Sequence, residues 1–300
     1  MKKWFSVLLL TMLVFSLAAC GSQKDEKTSE GNKETKTNEV FKIGAIPDQN
    51  AADLDKGMTA VAKYLSEKTG LKVEFVPSVD YAALVTGFQR GEIHMAWFGG
   101  LTSVQARNLV PDAESIVQRP RDAEFHSVFI TQAQENINKL EDLKGKSFTF
   151  GSESSTSGHL MPRYFLTEAG IDPNKDFDGK PNFSGSHDTT YKLVESGAFK
   201  AGALNEAVWE AAVKEGKVDT NKVKVFYTTP AYFDYNWTIN SNVEKVFGTG
   251  TKKKVKDALL SITGDQKEIA DLFQTDSFVE TNNDNYQKIE KVAKELEIIK

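Results

Sequence analysis

The chain is expected to fold as two α/β lobes, each a doubly wound sheet covered by helices, with the second lobe inserted into the first and two hinge strands joining them. Three observations predict this. Short β-rich runs alternate with segments of helical spacing, and the strand-helix alternation breaks off and restarts near residue 147. Two extended runs flanked by breaks, His126-Ser127-Val128-Phe129-Ile130-Thr131 and Tyr235-Asn236-Trp237-Thr238-Ile239-Asn240, stand where the chain would pass between units.

In the first unit, residues 41–47 read as a strand. Leu54, Met58, Val61, Ala62 and Leu65 then recur at helical spacing, and Gly70 closes that helix. Residues 72–76 give a second strand, Tyr81, Leu84, Val85 and Phe88 mark a helix ended before Gly91, and residues 93–98 give a third strand. This order is the grammar of a parallel sheet. The pattern restarts after Asp142-Leu143-Lys144-Gly145-Lys146, with a strand at 147–150, a Ser/Thr/Gly turn, and a helix carrying Leu160, Tyr164, Phe165 and Leu166 up to Gly170. Near the C-terminus Val255, Leu259, Leu260 and Ile262, then Ile289, Val292, Ala293 and Leu296, keep helical spacing and are assigned back to the first lobe. Lobe 1 is therefore expected at 40–128 plus 238–300 and lobe 2 at 129–237. Open sheets of this kind bind ligands at the carboxyl ends of their strands.

Residues 1–19 read as a signal peptide: Met1-Lys2-Lys3, an apolar run from Trp4 to Leu17, and Ala18-Ala19 before Cys20. The pattern resembles a bacterial lipobox, which implies that Cys20 is lipid-modified and becomes the first mature residue, holding the protein on the outer face of the cell membrane. Cys20 is the single cysteine of the 300 residues, so no disulfide or thiol chemistry is left for the fold. Residues 21–39 carry no large apolar side chain and read, with Cys20, as a disordered tether over 20–39. Formal net charge is −5, falling to −7 once the two leader lysines are removed, and there is no basic block. Nucleic acid is not an expected partner.

Chemistry concentrates in one stretch, Phe150-Gly151-Ser152-Glu153-Ser154-Ser155-Thr156-Ser157-Gly158, which follows a strand and opens a helix. A helix start leaves N–H groups unpaired and turns its positive dipole end outward, so an anion there gains backbone donors plus the hydroxyls of Ser155, Thr156 and Ser157. The same residues also serve as ordinary helix caps. A second strand-turn-helix entry, Phe183-Ser184-Gly185-Ser186-His187-Asp188-Thr189-Thr190, puts His187 at a helix mouth, as a cap or as a donor to an oxyanion. In the first unit Tyr81, and Thr102 and Ser103 of the turn Phe98-Gly99-Gly100-Leu101-Thr102-Ser103, are candidates at strand ends, and for Tyr81 the helical spacing favours core packing. The four histidines, His94, His126, His159 and His187, show no metal-motif pairing, and there is no Gly-x-Ser-x-Gly elbow or Walker loop. Neither an enzyme nor a cofactor or metal requirement is expected.

Assembled, these pieces resemble the phosphate/phosphite/phosphonate solute-binding family of ABC importers, a branch of the type II periplasmic binding proteins. The resemblance rests on Asp80-Tyr81-Ala82-Ala83, Phe98-Gly99-Gly100, Phe125-His126-Ser127-Val128-Phe129-Ile130, Asp142-Leu143-Lys144-Gly145-Lys146, Ser155-Thr156-Ser157-Gly158 and Gly185-Ser186-His187-Asp188, in that order. It implies the two-lobed type II fold, an oxyanion held by Ser155, Thr156 and Ser157 with Tyr81 and His187, and a membrane permease with its ATPase as partners. Two departures accompany it. Thr102 and Ser103 stand where family members carry a tyrosine, and the acidic pair that grips an amine in aminoalkylphosphonate binders has only Asn205 and Glu206 as equivalents. Ala45-Ile46-Pro47-Asp48-Gln49-Asn50, the segment from Gly202 to Trp209, and Tyr232-Phe233-Asp234-Tyr235-Asn236-Trp237 look like a subgroup with a provisional selenate-uptake label. The expected ligand is a small tetrahedral oxyanion: phosphonate, phosphite, phosphate or a selenate-like ion. Alternatives are a binding protein for an organic sulfonate or other organic anion, an extracytoplasmic phosphoryl-ester enzyme, and a ligand-sensing lipoprotein.

Overall fold

A computed structural model describes residues 39–300; the leader, Cys20 and nearly all of the tether lie outside the described residues. The chain begins with β1 (Phe41–Ala45), α1 (Ala51–Thr69), β2 (Val73–Phe75), α2 (Tyr81–Gln89), β3 (Met95–Phe98), α3 (Gly100–Leu109) and β4 (Glu114–Gln118). It continues with β5 (Ser127–Gln132), β6 (Phe148–Phe150), α4 (Met161–Glu168), β7 (Asn182–Phe183), α5 (His187–Glu195), β8 (Ala201–Asn205), α6 (Glu206–Lys214) and β9 (Val223–Thr228). The last run is β10 (Asn236–Ile239), α7 (Val243–Phe247), α8 (Thr251–Leu260), α9 (Lys267–Phe273), β11 (Val279–Glu280) and α10 (Gln287–Glu295).

Two sheets result, ordered β11-β4-β10-β3-β1-β2 and β7-β6-β8-β5-β9. Each is mixed rather than purely parallel. In the first, β1 pairs in parallel with β2 and β3, while β10 runs antiparallel between β3 and β4. In the second, β6 is parallel to β7 and β8, while β5 runs antiparallel between β8 and β9. The reversed strand in each sheet is the one the chain forms on arriving from the other, so it enters against the βαβ direction.

Local sequence explains the element ends. Asn50 accepts from the N–H groups of Ala52 and Asp53 to start α1, and Gly70, at φ 72°, ends it in the left-handed region that favours glycine. Asp80 caps α2 by accepting from Ala83 N–H, which fixes Tyr81 as the first helical residue. Strand β5 is buried along its whole length because helices cover both faces of its sheet. Phe129 packs with Phe148, Phe150 and Leu166 on one side, whereas Val128 and Ile130 pack with Tyr191, Val194 and Trp209 on the other.

The two extended runs expected to cross between lobes are strands that each lie wholly within one sheet. The crossings precede them: residues 119–126, with Pro120 opening a 3-10 turn, and residues 229–235, with Pro230 near the start. These segments are tied by reciprocal backbone bonds between Phe125 and Tyr232, and by Asp234 N–H donating to Asp122 O. Arg119 and Asp122 form a buried ion pair at 2.6 Å. The Arg119 guanidinium lies 5.0–5.7 Å from the ring centres of Trp97, Phe125 and Tyr235 and donates to Phe273 O. A charge fully satisfied in this way is costly to separate.

Candidate functional site

The carboxyl ends of both sheets face the seam between the lobes, and several helix starts meet there. Residues 156–160 form a π-helical turn ahead of α4, with Ser155 as its cap accepting from Gly158 N–H. The first N–H groups of such a turn, those of Thr156 and Ser157, have no acceptor within the helix. Opposite it stands the start of α3. There Leu101 N–H donates to Thr156 Oγ1 at 2.9 Å and Gly100 N–H donates to Asp234 Oδ1 at 2.9 Å, so both sheets and the second crossing touch at one point.

Buried polar side chains are normally hydrogen-bonded, so those left without a partner mark where something else belongs. Here Ser157 Oγ, Tyr81 OH, Asp234 Oδ2 and Asp48 Oδ1 are buried and unpartnered. They are neighbours. Tyr81 OH lies beside Ser155, and the Asp48 and Asp234 charges hold its pKa well above the tyrosine value, after burial itself. Burial likewise pushes Asp234 up to about 7, against the moderating pull of Gly100 N–H and the nearby Thr156 and Ser157 hydroxyls. Burial raises Asp48 to about 6, with the Tyr235 hydroxyl and Arg119 opposing.

A second network closes the same seam. Asn205 N–H donates to His187 Nδ1 at 3.3 Å, which leaves the proton of the neutral ring on Nε2, 3.3 Å from Tyr235 OH. Tyr235 OH in turn donates to Asp48 Oδ2 at 2.8 Å and accepts from Asn205 Nδ2 at 2.9 Å. Burial lowers the His187 pKa to about 3, so the ring is neutral at physiological pH. With His187 N–H also donating to Asp48 O, this chain of bonds links the loop between β1 and α1, the second crossing, α5 and β8.

The structure brings together Tyr81, Ser155, Thr156, Ser157 and His187, although His187 directs both ring nitrogens to protein partners. Thr102 sits at the α3 start and turns its hydroxyl back to Gly99 O. Ser103 is a correction: one residue further round the helix, its hydroxyl faces the lobe 1 core and bonds Ser115 and Thr238. Asn205 caps α6 by accepting from Val208 N–H and is otherwise committed to Tyr235. Glu206 is also a correction, since it is half-buried and pairs with Arg121 at 3.8 Å. Neither is presented as a free carboxylate for an amine. Asp48, Asp234 and Tyr235 were not singled out from sequence as site residues, although two quoted motif blocks contain them.

A cavity of about 460 Å³ lies away from this cluster. It runs along the outer seam between α1, α5, α6 and α9, lined by Asp53, Lys56, Lys192 and Lys217 among others. Its exposed, mixed charges lack the converging donors of the turn, which therefore remains the better candidate. Among the described residues no group of three or more His, Cys, Asp or Glu side chains is placed to hold a metal ion.

Residues 43–286 match a family model described as ABC transporter, phosphonate, periplasmic substrate-binding protein. A probable ABC transporter phosphite binding protein from Prochlorococcus marinus is 42% identical, over 87% of this chain and 91% of that protein. A phosphate-import protein from Mycolicibacterium smegmatis is 32% identical, over 70% of this chain and 68% of its own. The Prochlorococcus PhnD1 structure in complex with methylphosphonate superposes with a TM-score of 0.83, covering 87% of this chain and 99% of that one. A binding-protein component of a phosphonate transporter from Pseudomonas aeruginosa, 22% identical and covered to 84% and 85%, shares the fold with a TM-score of 0.75.

Proposed function

Because the chain belongs to the phosphonate periplasmic substrate-binding family of ABC transporters, we propose that it captures a compact phosphorus oxyanion, phosphite or a short alkylphosphonate, between the Ser155-Thr156-Ser157 turn and Tyr81. It is the extracytoplasmic binding component of a phosphonate or phosphite importer. The observation that carries the ligand assignment is the group of buried, unpartnered polar atoms around the turn: Ser157 Oγ, Tyr81 OH and Asp234 Oδ2. Hydroxyl donors and N–H groups at a helix start suit a tetrahedral oxyanion, and they do so without a lysine or arginine in the turn.

Compactness follows from what surrounds the turn. Asn205 and Glu206 are engaged elsewhere, so an aminoalkyl chain would find no acidic grip at those positions. The two lobes, which part at the crossings 119–126 and 229–235, close on the ligand by bending there. The closed form is then the one a membrane permease, driven by its ATPase, would accept. Cys20 carries the lipid that keeps the protein at the outer face of the membrane, and residues 21–39 act as the tether.

Thermal unfolding with phosphite, methylphosphonate, phosphate, aminoethylphosphonate, sulfate, selenate and taurine tests the ligand class. A ligand at about 100 times its Kd stabilises the native state by about 2.7 kcal/mol, a readily measured shift. Phosphite and methylphosphonate are expected to give the largest shifts. A larger response to taurine or another organic anion would replace this reading.

A further inference from the structure

Ser157 offers the proposed anion seat an unpartnered hydroxyl, while its own carbonyl lacks a donor within the helix. In a π-helical turn a carbonyl takes the N–H five residues on, as Ser155 O takes Leu160 N–H and Thr156 O takes Met161 N–H. For Ser157 O that residue is Pro162, which has no N–H. A buried carbonyl without any donor is costly.

The donor comes from another element. Ser127 Oγ, at the start of β5, donates to Ser157 O at 2.8 Å, which spends the one hydrogen of that hydroxyl. Tyr232 OH, 2.6 Å from Ser127 Oγ, is therefore the donor of that contact and has no hydrogen left for an anion. Both side chains are buried and held: Ser127 N–H donates to Thr229 Oγ1 at 3.0 Å, and Tyr232 exchanges backbone bonds with Phe125. At the other end of the same peptide unit, Gly158 N–H donates to Ser155 Oγ at 2.9 Å. The C=O and N–H of a trans peptide point in opposite directions, so Ser127 and Ser155 grip this unit from its two sides. A methyl group on Gly158 would lie 3.0 Å from both Ser155 Oγ and His187 Cε1, so the packing around the gripped peptide has no room for a side chain.

We propose that Ser127, oriented by Tyr232, is a positioning residue for oxyanion capture: it supplies the hydrogen that Pro162 denies Ser157 O and so locks the Ser157-Gly158 peptide with the Ser157 hydroxyl turned to the anion. Neither Ser127 nor Tyr232 touches the anion. Because Ser127 follows the first crossing and Tyr232 lies in the second, the relay fixes the turn against the segments at which the lobes bend. This rests on the anion position proposed above. Without the relay the anion would have to order the turn on binding, at a cost in affinity.

Titration calorimetry with methylphosphonate, with circular dichroism to establish folding, tests the relay. Ser127→Ala is expected to bind about tenfold more weakly, the scale of one neutral hydrogen bond. Pro162→Ala returns an N–H to position 162, so combining it with Ser127→Ala should regain most of that loss, whereas Pro162→Ala alone should bind as wild type does. Tyr232→Phe should weaken binding about threefold, and should cost nothing further in the Ser127→Ala background, because it acts only through Ser127. A residue needed for the fold alone would lower the unfolding midpoint and leave affinity, measured well below that midpoint, unchanged. Unchanged methylphosphonate affinity in folded Ser127→Ala overturns the inference and leaves the proposed function standing, as does a loss that Pro162→Ala fails to repair. Should Ser127→Ala not fold, Tyr232→Phe decides: weaker binding by the folded variant supports the relay and unchanged affinity overturns it. If wild type binds neither phosphite nor methylphosphonate, the proposed function fails and the inference with it.

Discussion

Ser157 and Ser103 are both fully buried serines and differ in what their hydroxyls meet. Ser103 Oγ bonds Ser115 and Thr238 inside lobe 1, whereas Ser157 Oγ meets no protein partner. Ser157→Ala is therefore expected to weaken phosphite or methylphosphonate binding by about tenfold to a hundredfold, the worth of a hydrogen bond to a charged group of about 1.5–3 kcal/mol. Ser103→Ala should leave affinity unchanged and cost about 1 kcal/mol of stability; calorimetric titration and thermal unfolding of the two variants separate the roles. Asp48 gives a pH signature. Its folded pKa, about 6, lies above the ordinary aspartate value of 3.8, so its contribution to stability is full below 3.8 and is lost as pH rises through about 6. Two pKa units correspond to about 3 kcal/mol. The buried histidines His94, His159 and His187 have lowered pKa values and act with the opposite sign in the same window. The measurement is accordingly the difference between Asp48→Asn and wild type: unfolding free energies should show the variant gaining on wild type between about pH 4 and 6.

At the scale of elements, the approach of α3 to the π-helical turn depends on the absence of side chains. A methyl group on Gly99 would lie 3.1 Å from Thr156 Oγ1, on the opposing side of the seam, and 3.2 Å from Asp234 Oδ1, in the second crossing. The backbone of Gly99, at φ −75° and ψ 166°, is one that alanine adopts without strain. Gly99→Ala is thus expected to leave the fold of lobe 1 intact and hinder closure. Small-angle scattering should show less ligand-induced compaction, and affinity should fall, with little change in the unfolding midpoint of the ligand-free protein. The elements themselves were legible. Period-3.6 spacing located α1 and α2, and the caps Asn50 and Asp80 with Gly70 explain their ends. The crossings were displaced because extended, β-rich sequence marks a strand, while the chain changes sheets in the proline-bearing segments just before.

For the whole molecule, closure couples the lobes through few but buried contacts: Leu101 to Thr156, His187 to Asp48, and the Tyr235 hub between Asp48, His187 and Asn205. Trp97 stacks on Tyr235 at 5.6 Å and lies against Arg119, so its fluorescence is the expected reporter of closure. Trp237, buried in the lobe 1 core, should respond less. Trp97→Phe is expected to abolish most of the ligand-induced signal. The tether proposal adds a separate expectation, that Cys20→Ser releases the protein from the membrane with ligand affinity unchanged, checked by fractionation and titration of the released protein.

The sequence by itself determined the α/β architecture, the presence of helices such as α1, α2, α8 and α10, and the placing of the Ser155-Thr156-Ser157 turn between a strand and a helix, because hydrophobic period, caps and glycines act over a few residues. Tertiary structure decided which side chains share the site. Asp48, Asp234 and Tyr235 come from segments almost 190 residues apart, and none stands out locally from other acidic or aromatic residues. Ser103 and Glu206 carry suitable chemistry, yet the rotation of a helix by one residue turns the first into the core, and the second pairs with Arg121. Burial, a property of the assembled seam, is also what raises Asp234 to about 7, and its second oxygen has no hydrogen-bond partner there.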